Sequence, residues 1–320
     1  MFRRAGRQSR RHPMSGAGAF VNTPASLPGL AFWVRSDLGV TLVQGPVVAT
    51  GTSPPAVTFS GTPSSSSNSI VLTCTGAGTN TTATFSWTLN GVAQTPFTAA
   101  ATVVLTGTGI TATFPVGAYT NTPSADTYTS VVTVSAWADQ SGGGHNATQA
   151  TPIQQFAYLP TGGPNSRAAV AGNNANTTFM TASIGALAKP CWVWMVYKAT
   201  VNDSNNYVLD GGGANTMAVL QTGFTTLRLY AGSFLPWSAA SLGAFAAYGL
   251  TFGSSGSIYS NAVLEASGTT GTTGSTGLTI GATVGGGAAA DMQMCELVIA
   301  NTPPAANALS AYSQSLYGFG

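Results

Sequence analysis

The sequence predicts an all-β protein built as a sandwich or jelly roll, and three observations carry that reading. Apolar and polar residues alternate with period two along most of the chain, the pattern of half-buried strands. Gly, Pro, Asn and Ser interrupt these runs every few residues, as they do between short antiparallel strands. Charged residues make up 6% of the 320, against roughly 25% in an average soluble protein, so solubility rests on hydroxyls and amides. A chain of this length holds one large core or two modest ones.

Residues 1–20 read as an extended basic arm. Arg3, Arg4, Arg7, Arg10 and Arg11 are five of the ten basic residues, and all eight acids lie after residue 36. From residue 13 onward five basic residues face eight acids, a net of −3, so arm and body are electrostatically distinct. The arm lacks the apolar stretch of a signal peptide or anchor, and export by that route is not expected. Its arginines could neutralise nucleic-acid phosphates. Pairing with carboxylates and carbonyls of a protein partner is the preferred reading, because the guanidinium fork binds such groups with defined geometry.

Residues 43–133 form a compositional unit with one acid, Asp126, and no Lys or Arg. Its strands are SIVLTCTG, TATFSWTLNG, TVVLTGTG, ITATFPVG and TYTSVVTVSAW, with an Asn-Gly turn after the second. Trp87 is expected to fill the core of this small β-sandwich. Strands in the second half are CWVWMVYKAT, NYVLDGGG, MAVLQTG, LRLYAG, AAYGLTF, SIYSNAVLEAS, GLTIGAT and MQMCELVIAN. The uncharged run between Arg228 and Glu265 is not a membrane span, since Pro236, Ser238, Ser241, Gly243 and Gly249 interrupt it. One helix is expected, over 302–318, with Thr302 as cap, Pro303 and Pro304 in the first turn, Leu309, Tyr312 and Leu316 on one face, and Gly318 as stop.

PGLAFWVRSDLGVTL at 28–42 and VSAWADQSGGGHNATQ at 134–149 look like two halves of one motif. Together they resemble the opening of laminin G-like, concanavalin A-type jelly rolls of phage structural proteins. FAAYGLTFGSSGSIYSNAVLEASG resembles the long hairpin of that family, and LTIGATVGGGAAADMQMCELVIAN followed by a short helix resembles its closing strand. The resemblance covers about two thirds of the chain. The stretch 43–133 is similar to a small Ig-like β-sandwich module of phage head and tail proteins. The implied architecture is a discontinuous jelly roll, 21–42 plus 134–320, carrying 43–133 as an insertion in an exposed turn.

SAWADQSGGGHNATQ places Asp139, Ser141 and His145 within seven positions. Three such residues on one Gly-rich turn lack the surrounding shell that orients a catalytic triad, and no G-x-S-x-G elbow is present. Asp139 and Ser141 are expected to bond the turn's own backbone, with Gly142 to Gly144 supplying positive φ angles, Trp137 in the core and His145 at the surface. Glycoside hydrolysis needs two convergent carboxylates. The two glutamates, Glu265 and Glu296, fall on different strands, and Asp291 is expected to face away from Glu296. No enzymatic activity is expected.

Cys74, Cys191 and Cys295 are too few and too scattered for a disulfide framework or a zinc site, and are expected as buried thiols. No cofactor is expected. Calcium is the one metal the loops around Asp203 and Asp210 would suit, although isolated Asp residues more commonly shape turns. For a sugar, Tyr207, Tyr230 and Trp237 are the candidate stacking platforms, with a core or interface role as the competing reading.

These observations are expected to describe a virion structural protein, a head decoration, fibre, tail or baseplate component. It would be anchored through its arm to other virion proteins and present in many copies. A receptor-binding module for host surface glycan is the alternative.

Overall fold

The computed structural model describes residues 22–44, 48–50, 55–61, 67–121, 125–202, 206–213 and 216–319. The basic arm with its five arginines, and Asp203 of the calcium reading, lie outside the described residues.

Two antiparallel sheets face each other across the main core. The first runs Leu30–Arg35, Met292–Ala300, Cys191–Ala199, Ala246–Phe252, Gly256–Ser260 and Val263–Gly268. The second runs Ala147–Thr148, Met180–Ala182, Leu278–Ile280, Asn206–Asp210, Ala218–Thr222, Thr226–Tyr230 and Phe234–Trp237. Phe32, Trp137, Met195 and Leu250 meet Leu229 and Ile280 between them, which makes the fold an all-β jelly-roll sandwich.

Cys191–Ala199 shows why its sequence is almost continuously apolar. Val193, Met195 and Tyr197 enter the core between the sheets, while Trp192, Trp194 and Val196 enter a second cluster on the far side, so both faces are buried. Thr226–Tyr230, by contrast, buries only alternate residues, which leaves the outer face of the second sheet open.

The chain leaves the first motif half at Val40–Gln44 and returns beside it, with Gln44 paired to Val132 and Val40 to Trp137. The returning strand, Ala125–Trp137, runs unbroken for 13 residues. Its first half pairs with Ser67–Gly76 and Val48–Thr50 and its second with Val40–Gln44 and Phe156–Leu159. Residues 57–128 bury a separate cluster that includes Ile70, Leu72, Phe85, Trp87, Phe114 and Tyr119. Phe85 and Phe114 lie 4.9 Å apart, and the Trp87 indole donates to the Thr95 carbonyl at 3.0 Å. Asn90 and Gly91 both take positive φ, 51° and 81°, as the two-residue hairpin turn requires.

The helix is shorter than its sequence suggests, spanning Ser310–Tyr317 with Leu309 at the cap position. Residues 305–309 instead form turns closed by Ala308 N–H to Ala305 and Ser310 N–H to Asn307. Thr302, Pro303 and Pro304 therefore precede the helix without capping it. Gly318 ends it in the left-handed conformation, φ 81°, as expected. Leu309 and Tyr312 are buried against Trp194, whose ring lies 6.1 Å from that of Tyr312. All three cysteines are buried and free. No helix among the described residues is long and apolar enough to cross a membrane, and the apolar run at 246–252 is a strand of the sandwich.

Candidate functional site

The Gly-rich turn after Trp137 is a structural clamp. Asp139 Oδ1 accepts from the backbone of Trp33 at 3.0 Å and of Ser141 at 2.9 Å. Its Oδ2 accepts from the Ser141 hydroxyl at 2.7 Å and the His145 backbone at 3.0 Å. Burial opposes ionisation, yet these donors outweigh it and hold the Asp139 carboxyl below its ordinary pKa. Gln140 N–H bonds the Trp33 carbonyl at 2.6 Å, so the turn fastens the two motif halves to each other. Trp137 is fully buried, as expected. Two details differ from expectation. Gly142 and Gly144 take positive φ but Gly143 does not; a side chain there would meet the His145 ring, 2.7 Å away. His145 is half-buried rather than fully at the surface.

The two glutamates occupy different environments. Glu265 is exposed on an edge strand, whereas Glu296 is fully buried. Glu296 Oε1 accepts from the Trp33 indole at 2.6 Å and the Tyr312 hydroxyl at 2.7 Å, and Oε2 from the Tyr317 hydroxyl at 2.7 Å. Desolvation pushes its pKa up to about 7, against the lowering effect of these donors. The register slips between Val196 and Tyr197, so Cys295 is an extra residue in the closing strand and inverts its parity. That inversion turns Glu296 toward the helix and undoes the expectation that Asp291 and Glu296 face apart by alternation. Asp291 precedes the strand and accepts from Asn174 N–H at 3.0 Å, away from the Glu296 partners.

A cleft of about 520 Å³ opens on the outer face of the second sheet, and Tyr207, Asp210, Thr216, Tyr230, Phe234 and Thr283 are among its lining residues. Tyr207 and Asp210 are three apart, which on a regular strand means opposite faces. A bulge between Tyr207 and Leu209 adds one residue opposite Ala218–Thr222, and so both side chains reach the same cleft. Across the sheet Ala218 pairs with Tyr230 and Tyr230 with Phe234, the two rings lying 4.7 Å apart and tilted by 46°. Asp210 Oδ2 accepts from Val284 N–H at 2.9 Å, which holds the Thr283–Val284 loop over the strand. Burial raises the Asp210 pKa, partly offset by backbone donors from Val284 and Gly211. Burial, then the charge of Asp210, raises that of Tyr207.

Of the three sugar-contact candidates, the structure brings Tyr207 and Tyr230 together and leaves Trp237 out. Trp237 pairs with Leu227, packs on the main core and lies 6.4 Å from the Tyr248 ring. It stands three residues from Phe234, so alternation sends one ring outward, 56% exposed, and the other inward. Phe234 is the platform residue that sequence reasoning missed, and strand parity from Tyr230 would have found it. Trp237 instead borders a second cleft of about 380 Å³ with Ser241, Tyr248, Asn261 and Glu265. Among the described residues no three His, Cys, Asp or Glu side chains group as metal ligands.

No family model and no curated protein matches the chain. Among solved structures it is similar to the binding domain of botulinum neurotoxin serotype G, at 12% identity and a TM-score of 0.45, over 56% of this chain and 49% of that one. It is also similar to the binding domain of Paraclostridial Mosquitocidal Protein 1, at 10% identity and a TM-score of 0.44, over 56% and 49%. A third similarity is to domain 4 of AbnA, a GH43 extracellular arabinanase from Geobacillus stearothermophilus, in complex with arabinotriose. There the identity is 13% and the TM-score 0.42, over 55% of this chain and 92% of that domain. The chain spans about half the length of the two toxin binding domains.

Proposed function

We propose that the protein is a saccharide-binding module whose site is the outer-face cleft. One observation carries the reading: three aromatic rings, Tyr207, Tyr230 and Phe234, line one cleft with the Asp210 carboxylate and the hydroxyls of Thr216 and Thr283. Rings stack on the apolar face of a pyranose while carboxylate and hydroxyl oxygens take its hydroxyl protons. We read the role as binding, since among the described residues the cleft lining holds a single carboxylate, Asp210, while Glu296 is fully buried.

The test is a glycan array probed with the full chain, followed by titration of the best ligand against Tyr230→Ala. Removing a half-buried platform ring should weaken binding at least about tenfold while the unfolding midpoint stays within a few degrees. No binding to any array saccharide at millimolar concentration overturns the proposal.

The cleft reverses the order of the two readings drawn from the sequence. A virion structural role keeps the support of the 6% charge content and the five-arginine arm. Deleting residues 1–20 tests that role through incorporation into particles.

A further inference from the structure

If the outer-face cleft binds a saccharide, the charges around it narrow the class. Among the described residues Asp210 is the only charged side chain lining the cleft. It is 8% exposed, so solvent and salt screen it less than a surface carboxylate. The neighbouring stretches 203–205 and 214–215, Asp-Ser-Asn and Ala-Asn, contribute no cation by sequence. Arg228 is the one basic residue between Lys198 and the C-terminus. It pairs with Leu220, itself a lining residue, and with Pro236, and shares the outward face of its strand with Tyr230, so it flanks the cleft without being part of its lining. The Trp237 cleft differs, since besides Glu265 in its lining the Lys198 ammonium lies 4.9 Å over the ring of its Phe245. Among the described residues the outer-face cleft thus has one carboxylate and no cation in its lining.

We infer, resting on the saccharide-binding function, that the outer-face cleft takes uncharged saccharides and rejects those that carry a carboxylate or sulfate. An ionised carboxylate has about four acceptor positions, and the backbone of Val284 and Gly211 occupies two of them. The remainder suit sugar hydroxyls, which donate. An acidic sugar brings a second negative charge into the same partly desolvated space and offers fewer protons, so it is repelled where a neutral one is held.

The experiment is calorimetric titration of the full chain with two matched pairs, lactose against α2,3-sialyllactose and methyl-esterified trigalacturonate against free trigalacturonate. In each pair that binds, the neutral member should bind at least about tenfold more tightly at about 20 mM NaCl. Asp210→Asn should narrow the gap to about threefold or less, whereas Arg228→Gln, which removes the flanking cation, should not narrow it. Equal or tighter binding of the acidic member by the wild type overturns the inference while leaving the saccharide reading intact. A gap that survives Asp210→Asn undiminished also overturns it, since the discrimination would then be steric. Failure of all four probes to bind the folded chain overturns this inference, whereas the saccharide reading falls only if the glycan array also shows no binding.

Discussion

Two regions of the molecule surround a carboxylate with aromatic side chains and use it in opposite ways. Under the C-terminal helix, Trp33, Tyr312 and Tyr317 all donate to Glu296, and no part of it reaches solvent. In the outer cleft, Asp210 sits beside Tyr207 and Tyr230 but takes its hydrogen bonds from backbone N–H groups. The residue types are nearly the same. The difference is saturation: where the aromatic donors close on the carboxylate the cluster is a latch, and where they do not it is a surface available to a ligand.

The strongest way to break this comparison is Glu296→Ala. Three donors, the buried Tyr312 and Tyr317 and the half-buried Trp33, lose their acceptor together, and the expected loss is about 4 kcal/mol, read from the urea midpoint. A loss below about 1 kcal/mol would show that the donors do not depend on it.

Next in size is the pH response. The folded-state pKa of Glu296 is raised from 4.5 to about 7, so its contribution to stability is fully present below 4.5 and is lost as pH rises through 7. The expected decline between pH 5 and 8.5 is about 3 kcal/mol, seen in unfolding curves across that range. Glu296→Gln should flatten it. Asp139, whose pKa is lowered, acts in the opposite sense and only at acid pH, where protonation removes its stabilising bonds.

The smallest effect sharpens the boundary of the cleft. Trp237→Phe should cost about 1 kcal/mol of stability through lost core packing. It should change affinity for the array ligand less than about twofold, since Trp237 faces the core. A larger affinity change would mean that the ligand extends over the sheet edge.

Strands were readable because alternation is a local property. AAYGLTF coincides with Ala246–Phe252, and CWVWMVYKAT contains Cys191–Ala199. The Asn-Gly turn and the Asp139 clamp were readable for the same reason, since their chemistry sits in a few adjacent residues. The site was readable only in part. Tyr207 and Tyr230 were identifiable as candidates, but the bulge that brings Asp210 beside Tyr207 is set by pairing with Ala218–Thr222. The extra residue at Cys295 is likewise fixed by the partner strand, and nothing in MQMCELVIAN announces it. Thr283 and Val284 arrive from 73 positions or more beyond Asp210, held by Val284 N–H to the Asp210 carboxylate and by the flanking Gly281 N–H to Val208 and Tyr207 N–H to Ala288 bonds, which no local pattern encodes. The helix start failed for a simpler reason: Pro303 and Pro304 suit a first turn, but the chain spends residues 305–309 on short i to i+3 turns instead.

The strand Ala125–Trp137 has a mechanical consequence. Residues 125–131 pair with Ser67–Gly76 and residues 132–137 with Val40–Gln44, so the handover between Val131 and Val132 leaves no slack. Thirteen extended residues make a girder about 44 Å long that belongs to two hydrophobic cores at once. A pull along it loads the ladders on both sides in shear, many hydrogen bonds sharing the force. A flexible tether would let the two bodies reorient before either felt the pull; this connection transmits it at once.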